Sequence, residues 1–538
     1  MKKSLCALLS ILMILCMLSA CTGGEEKTTT AAATTAAATT AAATTAATTA
    51  AGPAGLDEVT IKWMVNLNYN KTAEAKERIN TAINDYVKPL INATIDWDYV
   101  DSAEMSQKLS VMLTSGDHSD LIHISAGYGY NNYVAQGALR PLKALIDEYA
   151  PVLYDIVPEG AWTAVTYKGD YYAVVPYKDL AAVWNFLYND DMVQECGMPF
   201  PEWTVVSDVV EYFYDMKEKR DELHPEWASY PMSTCWTYID QWYRYDQMQS
   251  ICAAQLTGLN DFEGQGDGET VFNIFSTNEY ATICKNLKQM VDDGIFPYDN
   301  PNFDKDHAIF DSGAMLCNWA MGYLEVREDM YPFTTKLSNS KLAVMSTGYV
   351  QATLAALPAK GANPERSMML LNLVNTDKTL ADYIRFGQEG IDYQRVEDGR
   401  IDPYLGSANK GVESLSDLSW FNWYGHHVGN LVAGLIPTNN TVAFPDLLAD
   451  LNDNSHQKSN LGFIIDNEPI TNEIAACANI ISEYNSTSYL RSGMIENIDA
   501  EVAAFNDKLN ANGAEKILEE VQKQLNAWRA EMGMPVKG

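Results

Sequence analysis

Val59-Thr60-Ile61-Lys62-Trp63-Met64-Val65 alternates apolar and polar side chains at a period of two, the spacing of a β-strand. Residues 72–88 then carry Ala75, Ile79, Ala82, Ile83 and Tyr86 at helical spacing. Residues 94–100 alternate again, and residues 102–115 read as a second amphipathic helix ended by Gly116. Leu121-Ile122-His123-Ile124 is a short apolar run of the kind buried in parallel sheets. Strands that alternate with helices imply a parallel α/β sheet. Ligands of such sheets sit beyond the carboxyl ends of the strands.

Beyond Pro176 the pattern turns helical. Residues 205–219, 278–293 and 365–375 show helical periodicity, residues 470–484 and 515–532 read as long helices, and residues 500–510 as a third. There is no internal repeat, and no Pro/Ser-rich linker divides the chain after Leu56. The body is long enough for two or more domains with sizeable cores. Two lobes without a linker tract are expected to be joined by short crossing strands.

Upstream, Met1-Lys2-Lys3 precedes an apolar run over residues 5–18, then Leu18-Ser19-Ala20-Cys21. A basic start, a short apolar core and small residues before a cut describe a secretory signal. The run is short for a membrane span, which needs about 20 residues. The stretch resembles the lipobox of bacterial lipoproteins, which implies that Cys21 is lipidated and becomes the mature N-terminus. The alternative is an ordinary signal peptide with an incidental cysteine, since Cys6 and Cys16 lie in the same segment. Residues 28–51 are only Thr and Ala, and residues 22–55 lack aromatics and large aliphatics, so they cannot bury surface to offset their ordering entropy. A flexible coil of about 35 residues reaches about 30–35 Å, which suits a tether.

The formal charge of −34 excludes nucleic acid as a partner, because phosphate binding needs clustered Lys and Arg. It also opposes adsorption to anionic lipid, so any membrane attachment falls to the anchor. Cys196, Cys235, Cys252, Cys284, Cys317 and Cys477 stand singly, without a C-x-x-C pair, and read as buried thiols more readily than as disulfides or a zinc site.

Ser115-Gly116-Asp117-His118-Ser119-Asp120-Leu121-Ile122 is similar to the T-G-D-x-P-D-hydrophobic turn of extracellular solute-binding proteins of ABC importers. Gly137-Ala138-Leu139-Arg140-Pro141-Leu142 resembles their G-x-L-x-P-L segment. Tyr167-Lys168-Gly169-Asp170-Tyr171-Tyr172-Ala173-Val174-Val175-Pro176 resembles the hairpin before the first interlobe crossing, and Leu187-Tyr188-Asn189-Asp190-Asp191-Met192 the Y-N-K-D element after it. Phe310-Asp311-Ser312-Gly313-Ala314-Met315 resembles F-x-x-G-x-x-A-M with two residues missing. Phe386-Gly387-Gln388-Glu389-Gly390-Ile391-Asp392-Tyr393 resembles the G-x-E-G-x-D-Y element of a larger lipoprotein subgroup, and Gly462-Phe463-Ile464-Ile465-Asp466 with the final helices resembles its C-terminal domain.

The resemblance implies an α/β fold: a two-lobe periplasmic-binding-protein-like clamp of type II with a helix-rich second lobe. Behind a signal at residues 1–20 and a lipidated tether at 21–56, it implies lobe 1 at 57–176 plus 342–385 and lobe 2 at 177–341 plus 386–538. It implies a monomer that closes on a small solute, mainly carbohydrate, and delivers it to membrane permease subunits. Catalytic residues, a metal and a cofactor are not expected, and no G-x-x-x-x-G-K-[ST] nucleotide loop occurs.

By family position, Asn66, Asn68, Tyr69, Ser125 and Tyr128 face the cleft from one lobe, and Tyr177 and Asp179 lie at the crossing. Trp236, Tyr238, Trp242 and Trp319 fall in the second lobe. Glu389, Asp392 and Tyr393 lie near the final crossing, with Trp420 and Trp423 beyond. Aromatic faces pack on the C–H side of a pyranose while amides and carboxylates take its hydroxyls, although a tryptophan is more often core than platform. Glu389 and Asp179 can equally be a solvated rim or interlobe ion pairs. A secreted glycosidase remains open, because its two carboxylates about 5–9.5 Å apart cannot be seen in a sequence. A sensor-associated sugar-binding lipoprotein would look identical. His426-His427 reads as structural and not as a metal pair, and the acidic stretch 260–269 as a loop that misses the EF-hand ligand order.

Overall fold

The computed structural model describes residues 55–66, 70–115, 118–232, 246–248, 251–254, 268–296, 307, 310–316, 334–337, 339–340, 343–422, 427–438, 440, 442–485, 490 and 494–537. The first strands and helices are β1 (Val59–Val65), α1 (Ala73–Ile91), β2 (Ala93–Tyr99), α2 (Ser102–Thr114) and β3 (Leu121–Ile124). β1 runs parallel to β2 in the register Val59↔Ala93 to Val65↔Tyr99, and parallel to β3 with Trp63 opposite Leu121. Trp63 is fully buried and stacks on Trp97 at 4.9 Å. α1 buries Ala75, Ile79, Ile83, Val87 and Ile91, one residue per turn, against this sheet. Thr72 starts it, its Oγ1 accepting the Ala75 N–H at 3.2 Å. Thr72→Ala is expected to cost about 1 kcal/mol through the lost cap, read as a small fall in the urea midpoint.

Three strands carry the chain between cores. β4 (Ala181–Asn189) leaves the first core and pairs antiparallel with β5 (Phe310–Leu316) from Val183 to Tyr188 and with β6 (Thr335–Leu337) from Leu187 to Asn189. β7 (Ala343–Met345) returns beside the start of β4, Ala181 opposite Met345. β8 (Leu354–Ala356) then joins the first sheet antiparallel to β3, giving the order β8-β3-β1-β2. β9 (His456–Gln457) crosses last, parallel to β7. The crossing strands expected from the lack of a linker are these.

The second lobe is helix-rich and built on two cores. One gathers Phe186, Trp203, Phe213 and Phe296, the other Phe275, Phe463, Phe505 and Leu525. α3 (Asn278–Asp292) serves both, sending Tyr280 and Cys284 into the latter and Ile283, Leu287 and Met290 into the former. α4 (Thr471–Tyr484), α5 (Ile498–Ala511) and α6 (Ala514–Glu531) close the chain within a residue or two of the helices read from periodicity.

One boundary differs from expectation. Residues from 386 onward were placed with the second lobe, but Trp420, Val428, Leu451 and Leu461 share the core of Ile61 and Trp63. An ion pair with a buried carboxylate ties the segment to the first lobe: Arg78 of α1, itself partly exposed, donates from both Nη atoms to Asp392 at 2.7 Å. The packing therefore changes lobe between Leu461 and Phe463, not at residue 386. Cys196, Cys252, Cys284 and Cys477 are buried, and Cys21, Cys235 and Cys317 lie outside the described residues. Among the described residues no helix is long and apolar enough to cross a membrane.

Candidate functional site

The carboxyl ends of β1 and β3 bring three expected residues together. Asn66 follows β1, and its Nδ2 donates to Tyr128 Oη at 3.1 Å and to Ser102 Oγ at 2.8 Å. Ser125 follows β3 and accepts the Tyr128 N–H at 3.2 Å, which holds that turn over the strand end. The Asn66 carbonyl accepts from His427 Nδ1 at 2.8 Å, so the proton is on Nδ1. The His427 ring stacks on buried His123 at 4.5 Å, and His123 Nε2 meets Thr353 Oγ1 at 2.8 Å. Burial holds His123 well below the ordinary histidine value, with His427 adding to the effect. Burial likewise brings His427 down to about 4, opposed by the Asn66 carbonyl and helped by Lys178. His427 is thus a structural residue, and His426 lies outside the described residues.

Beside this edge is a cavity of about 350 Å³ between the crossing strands' ends. From the β3 side it is lined by Ala126, Gly129, Asn131 and Asn132, and from the segment after β7 by Ser346, Thr347, Gly348 and Gln351. The segment after β9 adds Lys458, Asn460, Phe463, Ile465 and Asn467, and the second lobe adds Met248. Amides and hydroxyls dominate the described lining, with apolar patches at Met248, Phe463 and Ile465 and no carboxylate. Gln351 Nε2 donates to the Ala164 carbonyl at 2.7 Å, which aims its Oε1 away from that bond. Gln351 Oε1 and Asn131 Oδ1 are buried acceptors with no protein donor among the described residues. A buried acceptor without a donor is costly, so these two atoms favour a hydroxylated occupant.

Other expected residues land elsewhere. Tyr177 packs partly buried against Leu431, Phe444 and Leu448 on the approach to β4. Asp179 lies beside buried Lys178, whose Nζ is 3.8 Å from its carboxylate and donates to the Tyr349 carbonyl at 3.1 Å. Trp420 is corrected from platform to core: it is 1% exposed, edge-on to Tyr99, and its Nε1 donates to the Ile384 carbonyl at 3.1 Å. Glu389 is a half-exposed rim residue paired with Arg395 at 3.0 Å, and it is absent from the cavity lining. Asp392 and Tyr393 are buried, Asp392 on Arg78 of α1 and Tyr393 in a small core with Phe386, Ile401 and Phe421. Asn68, Tyr69, Trp236, Tyr238, Trp242, Trp319 and Trp423 lie outside the described residues, as does most of the 260–269 stretch. Among the described residues no three His, Cys, Asp or Glu side chains are grouped to hold a metal. The cavity amides were missed, because isolated Asn and Gln carry no motif.

A family model described as a domain of unknown function (DUF3502) matches residues 459–530. The chain is similar to a carbohydrate ABC transporter substrate-binding protein of Streptococcus pneumoniae, 22% identical over 457 residues that cover 82% of this chain and 86% of the relative. Its structure is similar to that of an N-glycan transport solute-binding protein of the same organism, with TM-score 0.69 and 20% identity over 88% of this chain and 99% of the other. The same protein in complex with Man5GlcNAc is similar at TM-score 0.58 and 19% identity, again over 88% and 99% of the two chains. The fold is that of the two-lobe solute-binding proteins, an α/β clamp whose second lobe is helix-rich.

Proposed function

We propose that this chain is the substrate-binding component of an ABC importer, which captures a carbohydrate in the interlobe cavity and presents it to membrane permease subunits. The observation that carries this reading is the pair of orphan acceptors, Asn131 Oδ1 and Gln351 Oε1, in an amide-lined cavity where the lobes meet. Sugar hydroxyls donate to such atoms, and Phe463 and Met248 offer apolar walls for C–H faces. Similarity to a carbohydrate transporter's binding protein, and to one solved with an N-glycan, supports the solute class. Closure requires only that the solute bind the closed state more tightly than the open one. The protein binds without turnover, acts as a monomer and uses neither a metal nor a cofactor.

The lipobox-like Leu18-Ser19-Ala20-Cys21 supports an extracytoplasmic lipoprotein held to the outer face of the membrane by lipidated Cys21. The tether then keeps the clamp at high local concentration beside its permease. Cys21→Ser is expected to move the protein from the membrane fraction to the soluble fraction with its solute affinity unchanged. Retention of the variant in washed membranes would count against the anchor.

The function is tested by thermal shift and calorimetry of the mature chain against an oligosaccharide panel that includes Man5GlcNAc. A binder at about 100 times its Kd stabilises the native state by about 2.7 kcal/mol. Mass spectrometry of the recovered glycan should show it intact. Products released at enzymatic rates would instead support a glycoside hydrolase.

A further inference from the structure

The segment after β9 changes core within two residues. Leu461 packs in the first lobe's core, whereas Phe463 and Ile465 pack in the core of the C-terminal helices. Gly462 lies between them at φ +95°, a conformation that other residues rarely adopt. Its N–H donates to Thr347 Oγ1 at 2.9 Å, and a Cβ there would stand 2.4 Å from the Thr163 carbonyl oxygen. The chain thus pivots where it is pressed against the first lobe.

The last helix grips the same segment from the other side. Arg529 of α6 is buried and donates from Nη1 to Asn460 Oδ1 at 3.0 Å. Gln524 clamps the backbone of Asp466, accepting its N–H at 2.8 Å and donating to its carbonyl at 2.9 Å. Trp528 packs on Phe463 at 5.7 Å. Because Arg529 occupies the oxygen of Asn460, that amide has only its NH2 group left to offer; one N–H meets Ser459 Oγ at 3.3 Å, and the second is a donor on a residue that lines the cavity. The first lobe offers buried acceptors, and this wall offers a donor.

We propose that the domain of unknown function is a jaw of the clamp: it supplies the donor wall at Asn460, and Arg529 is the positioning residue that orients it. The proposal rests on the reading that the cavity holds a carbohydrate, and it extends that reading to a division of labour. Asn460 lies on the first-lobe side of Gly462 and is held from the C-terminal helices by Arg529, so the donor is fixed beside the acceptors only while α6 is docked on this segment.

The test uses the mature chain and Man5GlcNAc, or whichever panel glycan binds the wild type. Asn460→Ala and Arg529→Met are each expected to raise Kd about tenfold, with Arg529→Lys recovering part of the loss. The double variant Asn460→Ala/Arg529→Met should be no weaker than Asn460→Ala alone, because Arg529 acts through Asn460. Wild-type affinity in the single variants, or additive losses in the double, would overturn the proposal. If no glycan binds the wild type, the functional reading fails by itself, and the jaw is still read by hydrogen exchange without solute. Gln524→Ala, a mild change on a half-buried side chain, should then speed exchange over residues 458–467. Unchanged exchange would overturn the jaw.

Discussion

Asp392→Ala is expected to lower stability by about 3–5 kcal/mol, since removing one partner strands the rest of a buried charged network. The Asp392 side chain is fully buried and accepts from Arg78 Nη1 and Nη2 at 2.7 Å, Ser419 Oγ at 2.6 Å and the Gln388 N–H at 2.8 Å. Two glycines make room for this residue, one at its carboxylate and one at its backbone. Gly387 lies at φ +82°, and a Cβ there would stand 2.4 Å from Asp392 Oδ2, while one at Gly406 would stand 2.4 Å from the Asp392 carbonyl carbon. The first glycine and the aspartate of the G-x-E-G-x-D pattern are thereby explained as backbone making room for a buried carboxylate. Urea unfolding should show the loss, and hydrogen exchange should locate it in residues 386–420 and along α1. Arg78→Met should recover part of the loss in the Asp392→Ala background, because it removes the uncompensated guanidinium. A loss under 1 kcal/mol would show that the pair is dispensable.

The second large effect is on pH dependence. An imidazole whose folded pKa lies below its unfolded value binds its proton better when unfolded, so its stabilisation is present above about pH 6.5 and is lost as pH falls. For His427 the folded value is about 4, so the loss runs from about pH 6.5 to pH 4. Its full size is roughly 3 kcal/mol. His123 moves in the same direction from the other side of the stack. Protonation would also set His427 against Lys178. His427→Asn keeps a donor for the Asn66 carbonyl but does not titrate. Its thermal midpoint should therefore fall less than the wild type's between pH 6.5 and 4. Parallel profiles would remove His427 from the acid response.

The parts of this fold legible in the sequence are those set by local periodicity. The alternation of Val59–Val65 and the one-per-turn spacing of Ile79, Ile83 and Val87 each encode a buried face, and the structure uses those faces. Asn66 and Tyr128 were named by family position; the structure brings them together at the ends of β1 and β3, but neither lines the cavity. The placement of residues 386–451 was not legible, since Arg78 and Asp392 pair across 314 positions and neither belongs to a distinctive spacing. Trp420 illustrates a different limit. A tryptophan after a polar loop reads alike as platform or core, and only the Ile384 carbonyl that takes its N–H decides. Asn131, Gln351 and Asn460 come from three separate returns of the chain, so their shared cavity exists only once the crossings are made.

β4, β7 and β9 cross between the cores hydrogen-bonded side by side. Strands hydrogen-bonded side by side bend readily out of their common plane, whereas sliding or twisting one past another breaks ladder bonds. Motion between the two halves is therefore expected to follow mainly this bend. One pair of spectroscopic labels, one on α1 and one on α6, should then report the whole trajectory of closing as a single distance.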